Sequence, residues 1–259
     1  MGAGHGGPLG AAPSARDTVV SRLPAHVRLV AVLGFALVVV ATPVDPGWAP
    51  AYAGHAVLVL GTAALARVPA GRLLRGLAVE VPFVAFALLL PFVARGPRVE
   101  VLGLALSESG LVAAGGLLAK ATLSVLAATV LAATTPPQEL VRGLQRLRLP
   151  AVLVQILSFM VRYADVVAGD LRRMRVARES RGFRGRGPGA LRVVAGGAGA
   201  LFVRSYERGE RVHLAMLSRG GDGRLPAGPA VAVPARTWLT GLALPLSAGA
   251  VLAAGVLGA

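Results

Sequence analysis

Long apolar runs, separated by short breaks marked with arginine or proline, make up most of this chain. Val27–Ala41, Ala51–Ala66, Leu77–Ala94, Gly110–Ala133 and Trp238–Leu257 are the five principal runs. Crossing a hydrocarbon core takes about 17–25 mostly apolar residues, so the five predict membrane-spanning helices, the first of them short. Pro43-Val44-Asp45-Pro46-Gly47 predicts a tight turn after the first run, and Arg67, Arg72 and Arg75 mark the loop after the second. The third run contains Pro82 and Pro91, whose broken backbone bonds neighbouring helices have to accommodate. The fourth is rich in Gly, Ala, Ser and Thr and is expected to pack closely against other helices.

Between the fourth and fifth runs the pattern changes. Thr135-Pro136-Pro137-Gln138-Glu139 predicts a helix start, since proline suits a first turn and Glu139 complements the positive dipole end. Leu140, Leu144, Leu147 and Leu149 then form one apolar edge, with Arg142, Arg146 and Arg148 on the other faces. Such a helix lies along a membrane surface. Pro150 ends it, and Ala151–Val161 follows as an apolar helix too short to span. After Arg162-Tyr163 comes an arginine-rich helix with Val167, Leu171 and Met174 at spacings of four and three. A Gly- and Arg-rich break at Phe183–Gly189 precedes a second such helix, with Phe202, Tyr206, His213 and Met216/Leu217 as its stripe. Glu207 and Arg211 stand four apart in the favourable order.

Composition supports a membrane setting. Of 259 residues 55% are hydrophobic and only 15% charged, with a mean hydropathy of +0.68, which is too apolar for an ordinary soluble domain. The formal net charge of +15 comes from 27 basic residues, of which Lys120 is the one lysine and seventeen lie between Thr134 and Arg224. A nucleic-acid binder carries such charge on a polar, soluble face, so the flanking apolar runs argue against one. Arginine suits planar pairing with carboxylates and snorkelling at a bilayer surface. The absence of cysteine excludes disulfides and thiolate metal sites.

Basic residues also predict orientation. Arg16, Arg22 and Arg28, the three arginines of the second loop, and the large basic segment fall on one side, the cytoplasm, when four spans precede that segment. The first and third loops and the C-terminus then face outside. The expected fold is all-α and polytopic, with about five transmembrane helices and a cytoplasmic layer of three coupling helices. Residues 1–26 form a flexible cytoplasmic tail and residues 27–133 a four-helix transmembrane region. Residues 134–235 carry the cytoplasmic helices, and residues 236–259 the last span.

The chemistry is concentrated in a repeated phrase. Ala177-Arg178-Glu179-Ser180-Arg181-Gly182 and Ala215-Met216-Leu217-Ser218-Arg219-Gly220 both read A-x-x-S-R-G, and their arginines are 38 residues apart. A cation in the last turn followed by glycine can end any helix. Two such ends on long arginine-rich helices point further: small residues beside the guanidinium let a helix tip enter a groove and pair bidentately with a carboxylate.

These residues resemble a known family, the T components (transmembrane coupling subunits) of energy-coupling-factor transporters, in their cobalt- and nickel-associated CbiQ branch. The resemblance is carried by Thr135-Pro136 with Glu139-Leu140, Arg146-Leu147-Arg148-Leu149-Pro150, Arg162-Tyr163, Met174–Ala177, Ser180-Arg181-Gly182-Phe183, Arg204-Ser205-Tyr206-Glu207-Arg208, Glu210-Arg211-Val212 and Ala215–Gly220. It implies a non-catalytic subunit without a resident cofactor or metal, working with two ABC-type ATPases, a small substrate-binding membrane subunit and the lipid bilayer in a plasma-membrane importer. It implies that Ser180, Arg181, Gly182, Ser218, Arg219 and Gly220 dock on the ATPases, with Ala177, Ala215, Arg162, Glu207 and Arg211 in support. Ser180 and Ser218 depart from the alanine of the family motif, Gly221 from an aromatic, and His213 from a tyrosine. Cobalt is the expected cargo, with nickel or a vitamin as the alternatives.

Other features carry less. Lys120 lies mid-span, and Glu80 is expected near the start of its own span, too far in depth to pair with it; Lys120 is expected to be snorkelling or internally satisfied. His5, His26, His55 and His213 show no metal-ligand spacing, and no phosphate-binding glycine loop is present. Two other function classes fit the composition: a membrane enzyme acting on anionic lipid, and a self-contained permease.

Overall fold

The structure, a computed structural model, describes residues 18–101, 104–183, 185, 189–221 and 233–258. The expected N-terminal tail, part of the Gly- and Arg-rich break and the Pro-rich connector before the last span lie outside the described residues. Nine helices and one hairpin follow in order among them: α1 Ala25–Ala41, α2 Ala49–Leu65, α3 Ala70–Leu77, α4 Val81–Val93, β1 Arg98–Val101, β2 Leu104–Ser107, α5 Glu108–Thr134, α6 Pro137–Arg146, α7 Ala151–Ser180, α8 Gly189–Leu217 and α9 Ala235–Gly258. The protein is an all-α polytopic membrane protein. The chain divides into two units, residues 18–143 with 233–258, and residues 144–221.

Five helical segments are long and apolar enough to cross a membrane: Pro46–Leu65, Ala70–Val93, Glu108–Thr134, Ala151–Ser180 and Ala235–Leu257; α1 is apolar but has 17 residues. Four of the five coincide with runs read from the sequence. The fifth, α7, is a correction, because the sequence reading divided it at Arg162-Tyr163. Arg and Tyr interrupt polarity there but not the backbone, and Ala151–Ser180 is one helix of 30 residues. Its apolar part is the N-terminal half; Asp165, Asp170, Arg172, Arg173, Arg175, Arg178 and Glu179 follow.

Two further expectations change. Arg72 and Arg75 belong to α3 rather than a loop, and a 3-10 turn at Ala78–Glu80 joins α3 to α4. The loop after the third apolar run contains an antiparallel hairpin, Arg98 opposite Ser107 and Val101 opposite Leu104. Ser107 also caps α5, its hydroxyl accepting from the Gly110 amide at 3.3 Å.

In the unit that holds most of the spans, Phe35, Val39, Val59, Leu123, Leu126, Ala127 and Ala248 form the core, from α1, α2, α5 and α9. Lipid is as apolar as leucine, so such helices associate through close backbone approach and internal polar bonds. The approach is visible at Gly110, where a Cβ would lie 2.7 Å from the Pro91 Cα and 2.8 Å from the Leu90 carbonyl of α4. On α9, a side chain at Gly241 would collide with Val27 of α1.

Several polar groups of this unit are paired across helices. Lys120 donates to the Val40 carbonyl at 2.8 Å, so it satisfies the open C-terminal end of α1 and is internally bonded. The buried Glu80 accepts from the Thr122 hydroxyl at 3.0 Å. Glu80 thus sits within two residues of the level of Lys120, not far from it in depth, because its helical segment begins at Ala70 rather than at Leu77. The two still do not pair: positions 120 and 122 lie on different faces of α5.

Arg28 makes four side-chain hydrogen bonds. Only 5% exposed, it donates from Nε to the Leu23 carbonyl at 2.8 Å, and from Nη1 to the Thr134 carbonyl and, at 2.7 Å, to the Thr135 hydroxyl. Its Nη2 meets Glu139 at 3.2 Å. One guanidinium therefore ties the start of α1 to the end of α5 and the first turn of α6. Gly143 brings α6 equally close, since a Cβ there would lie 3.0 Å from the His26 amide nitrogen.

Two outcomes follow from this packing. Gly110→Val lowers the thermal midpoint of the detergent-solubilised protein, whereas Gly115→Val, with nothing within 4 Å, leaves it nearly unchanged. Arg28→Met costs about 3 kcal/mol or more in reversible denaturant titration, because it strands buried acceptors. Glu139→Gln, on a half-exposed partner, costs less than about 1 kcal/mol.

Candidate functional site: twin helix ends

The two A-x-x-S-R-G phrases close α7 and α8 with the same bonds in the same register. In the first, Phe183 N–H donates to the Arg178 carbonyl at 3.1 Å and Gly182 N–H to Glu179 at 3.0 Å. In the second, Gly221 N–H donates to Met216 at 2.9 Å and Gly220 N–H to Leu217 at 3.0 Å. This six-to-one and five-to-two pair is the Schellman helix end, which requires a left-handed residue after the last turn. Gly182 at φ +80° and Gly220 at φ +76° supply it. Ser180 bonds back to the Ala177 carbonyl at 3.0 Å, and Ser218 to Ala215 at 3.1 Å. The serines, which stand in place of alanines, thus spend their hydroxyls on the local backbone and add little bulk.

The backbone motif alone is not special. The ends of α2 and α6 make the same bonds, Val68 to Ala63 with Arg67 to Ala64, and Leu149 to Leu144 with Arg148 to Gln145. There the left-handed residues are Arg67 at φ 51° and Arg148 at φ 58°. Arg67 and Arg148 are exposed too; what separates the ends of α7 and α8 is that the residues flanking the arginine are exposed with it, whereas Ala63 and Ala66 are buried and Leu144 and Leu149 half-buried. Ser180, Arg181, Gly182, Ser218, Arg219 and Gly220 are all exposed, as are Ala177 and Ala215. Neither Arg181 nor Arg219 has a carboxylate partner among the described residues.

The helices carrying these ends run antiparallel in their unit. Gly197 of α8 faces Met174 and Arg178 of α7, while Asp170 reaches Arg208 at 3.3 Å. Arg181 and Arg219 therefore occupy opposite ends of a helix pair that is roughly 40 Å long at 1.5 Å per residue. The stripe of α8 turned towards α7 is Ser205, Arg208, Val212 and Met216, which with Ile156, Phe159, Tyr163 and Val167 line an apolar groove of about 450 Å³. Val167, His213 and Met216 belong to it as expected, but Phe202 and Tyr206, 70% and 62% exposed, point away. The expected stripe was rotated because it followed the largest apolar residues, whereas the packed face uses small and polar ones.

Of the supporting residues, Glu207 and Arg211 form their i,i+4 pair at 3.9 Å, and Arg162 is exposed. Asp170 was overlooked in the sequence. It lies beyond the apolar half of α7, 2.5 Å from Arg173 as well as bonded to Arg208, and it joins the two helices. Its sequence signal was the i,i+3 pair with Arg173.

Among the described residues no group of three or more histidine, cysteine or carboxylate side chains could hold a metal ion. At Gly221, where an aromatic was expected, a Cβ would come within 2.8 Å of the Met216 carbonyl, which accounts for glycine there.

The fold and the paired basic helix ends define an all-helical, multi-pass membrane protein with two exposed arginine-bearing tips. Residues 16–227 match the family described as CbiQ, cobalt transport protein. The chain is 31% identical over 236 residues to the cobalt transport protein CbiQ of Rhodobacter capsulatus, covering 87% of this chain and 88% of that one. It is also 34% identical over 95 residues to an uncharacterized protein of Methanocaldococcus jannaschii, 37% of this chain but only 35% of that protein's length. The chain belongs to the CbiQ family.

The glycines of the two ends can be tested directly. Gly182→Ala and Gly220→Ala each force a side chain into the left-handed region, at a cost of about 1 kcal/mol, while Arg148→Gly relieves a similar strain. Amide hydrogen exchange over residues 178–183 and 216–221 is expected to accelerate only in the alanine variants.

Proposed function

We propose that this protein is the non-catalytic coupling subunit of an energy-coupling-factor importer, carrying ATP-driven motion from two ABC-type ATPases to a substrate-binding membrane subunit. The observation that carries this reading is the pair of exposed, bond-for-bond equivalent arginine-bearing helix ends on α7 and α8. Two equivalent tips suit two equivalent ATPases, each offering a groove with carboxylates that a guanidinium pairs with bidentately. Ser180, Arg181 and Gly182 form one docking tip, and Ser218, Arg219 and Gly220 the other.

The distribution of arginine supports a membrane placement with the N-terminus, α6, the arginine-rich C-terminal half of α7 and α8 in the cytoplasm and the C-terminus outside. Cobalt is the proposed cargo, on the strength of the family and of the Rhodobacter capsulatus relative. Cobalt ions would cross at the partner subunit and not through this chain.

Arg181→Glu or Arg219→Glu is expected to cut co-purification of the ATPases and ATP-dependent uptake of labelled cobalt at least tenfold, with membrane insertion unaltered. Each reversed charge meets the partner's carboxylates as a like charge. A double variant that kept both ATPases and uptake would falsify the coupling role. Uptake of nickel in preference to cobalt would reassign the cargo alone.

A further inference from the structure

Between α7 and α8, away from the apolar groove, lies a cleft of about 400 Å³ whose walls are Arg173, Arg178, Arg181 and Arg204, with Asp170 and Met174 completing them. Four guanidiniums around one carboxylate is an unbalanced arrangement. The carboxylate is also already occupied, since Asp170 bonds Arg173 at 2.5 Å and Arg208, from outside the cleft, at 3.3 Å. No carboxylate among the described residues lies within ion-pair distance of Arg178, Arg181 or Arg204.

Arg178 makes the imbalance hard to ignore. Its Nε donates to the Met174 carbonyl at 3.3 Å, but its Nη1 is fully buried and has no partner. The head group is laid across Gly197, where a Cβ would come within 3.3 Å of that same Nη1. A buried donor on a charged group normally finds an acceptor. The negative end of the α7 dipole offsets about half a charge near Arg178 and Arg181, which leaves the cluster strongly positive.

We propose that this cleft is a binding site for a phosphate-type anion, either the headgroup of an acidic phospholipid or a free phosphate. The planar, multi-donor guanidinium matches phosphate oxygens, and the walls use arginine throughout. Arg178 and Arg204 bring guanidiniums from the two helices, and Arg173 and Arg181 close the mouth. The site would clamp α7 to α8 through the anion, beside the link made by Asp170. It goes beyond the coupling role and rests on a different observation, the uncompensated guanidiniums that line the cleft.

The test uses the full-length purified protein in a neutral detergent, followed by thermal unfolding with inorganic phosphate or with mixed micelles containing phosphatidylglycerol. Phosphate-type ligand is expected to raise the midpoint by a few degrees at saturation, as binding to the native state alone requires. Chloride at matched ionic strength is expected to do less.

Arg178→Gln with Arg204→Gln weakens apparent binding at least tenfold, and Gly197→Val does the same without changing charge by displacing the Arg178 head group. Arg146→Gln, on α6 and outside the cleft, retains it. Without ligand, Arg178→Gln is expected to unfold at an equal or higher temperature, because it removes like-charge repulsion and an unmet donor. A structural arginine would instead leave the variant less stable.

A response to phosphatidylglycerol but not to phosphate assigns a lipid headgroup, and the reverse assigns a soluble anion. A midpoint that ignores both ligands, or that shifts equally in the Arg178→Gln/Arg204→Gln and Gly197→Val variants, overturns the site. Loss of ATPase docking in Arg219→Glu, whose arginine lies at the far end of the helix pair and outside the cleft, with phosphate binding retained, keeps this site separate from the coupling role.

Discussion

Hydrocarbon offers a helix no reason to prefer a neighbour over lipid, and that constraint governs the whole spanning part of this protein. What holds it together is contact so close that only glycine fits, as at Gly110 against α4 and Gly241 against α1, and polar groups that find one another internally. Arg28 concentrates the second kind of contact. By meeting acceptors from three chain segments, it makes the start of α1, the end of α5 and the beginning of α6 a single joint. Glu139, in the first turn of α6, serves at once as partner to that guanidinium and as complement to its helix's positive end.

The other unit follows different rules, because α7 and α8 are edged with arginine and meet along a mixed face. Their contact relies on Asp170 bridging to Arg208 and on small residues such as Gly197 that let Arg178 and Met174 lie close. The repeated sequence at their ends becomes a repeated geometry. Glycine's freedom at positive φ lets each helix stop abruptly, with its last carbonyls bonded and its arginine outward. Arg67 and Arg148 show that the chain can make the same stop without glycine, at the expense of strain.

Much of this was legible beforehand where the signal is local. Runs of apolar residues located α2, α5 and α9 within two or three residues, and the S-R-G phrases located the ends of α7 and α8. The continuity of α7 was not legible, because Arg162 and Tyr163 change the polarity of a helix without ending it. Glu80 was misplaced in depth for a related reason: Arg72 and Arg75 looked like loop residues, yet they extend the helical segment to Ala70 and carry Glu80 deeper. The hairpin was read as a plain loop because its strands are four residues each. The arginine cleft needs Arg204 opposite Arg178, and antiparallel pairing across such a separation is a tertiary fact that no window of sequence contains.

The unequal lengths of neighbouring helices bear on the membrane itself. At 1.5 Å per residue, α1 with 17 residues reaches only about 25 Å, while α5 with 27 reaches about 40 Å. A hydrocarbon core of about 30 Å matches neither. A helix as short as α1 is accommodated by local thinning or by its flanking residues, and one as long as α5 by tilt or protrusion. Bilayer thickness therefore becomes a mechanical variable for this protein, and changing acyl-chain length would load its two sides differently.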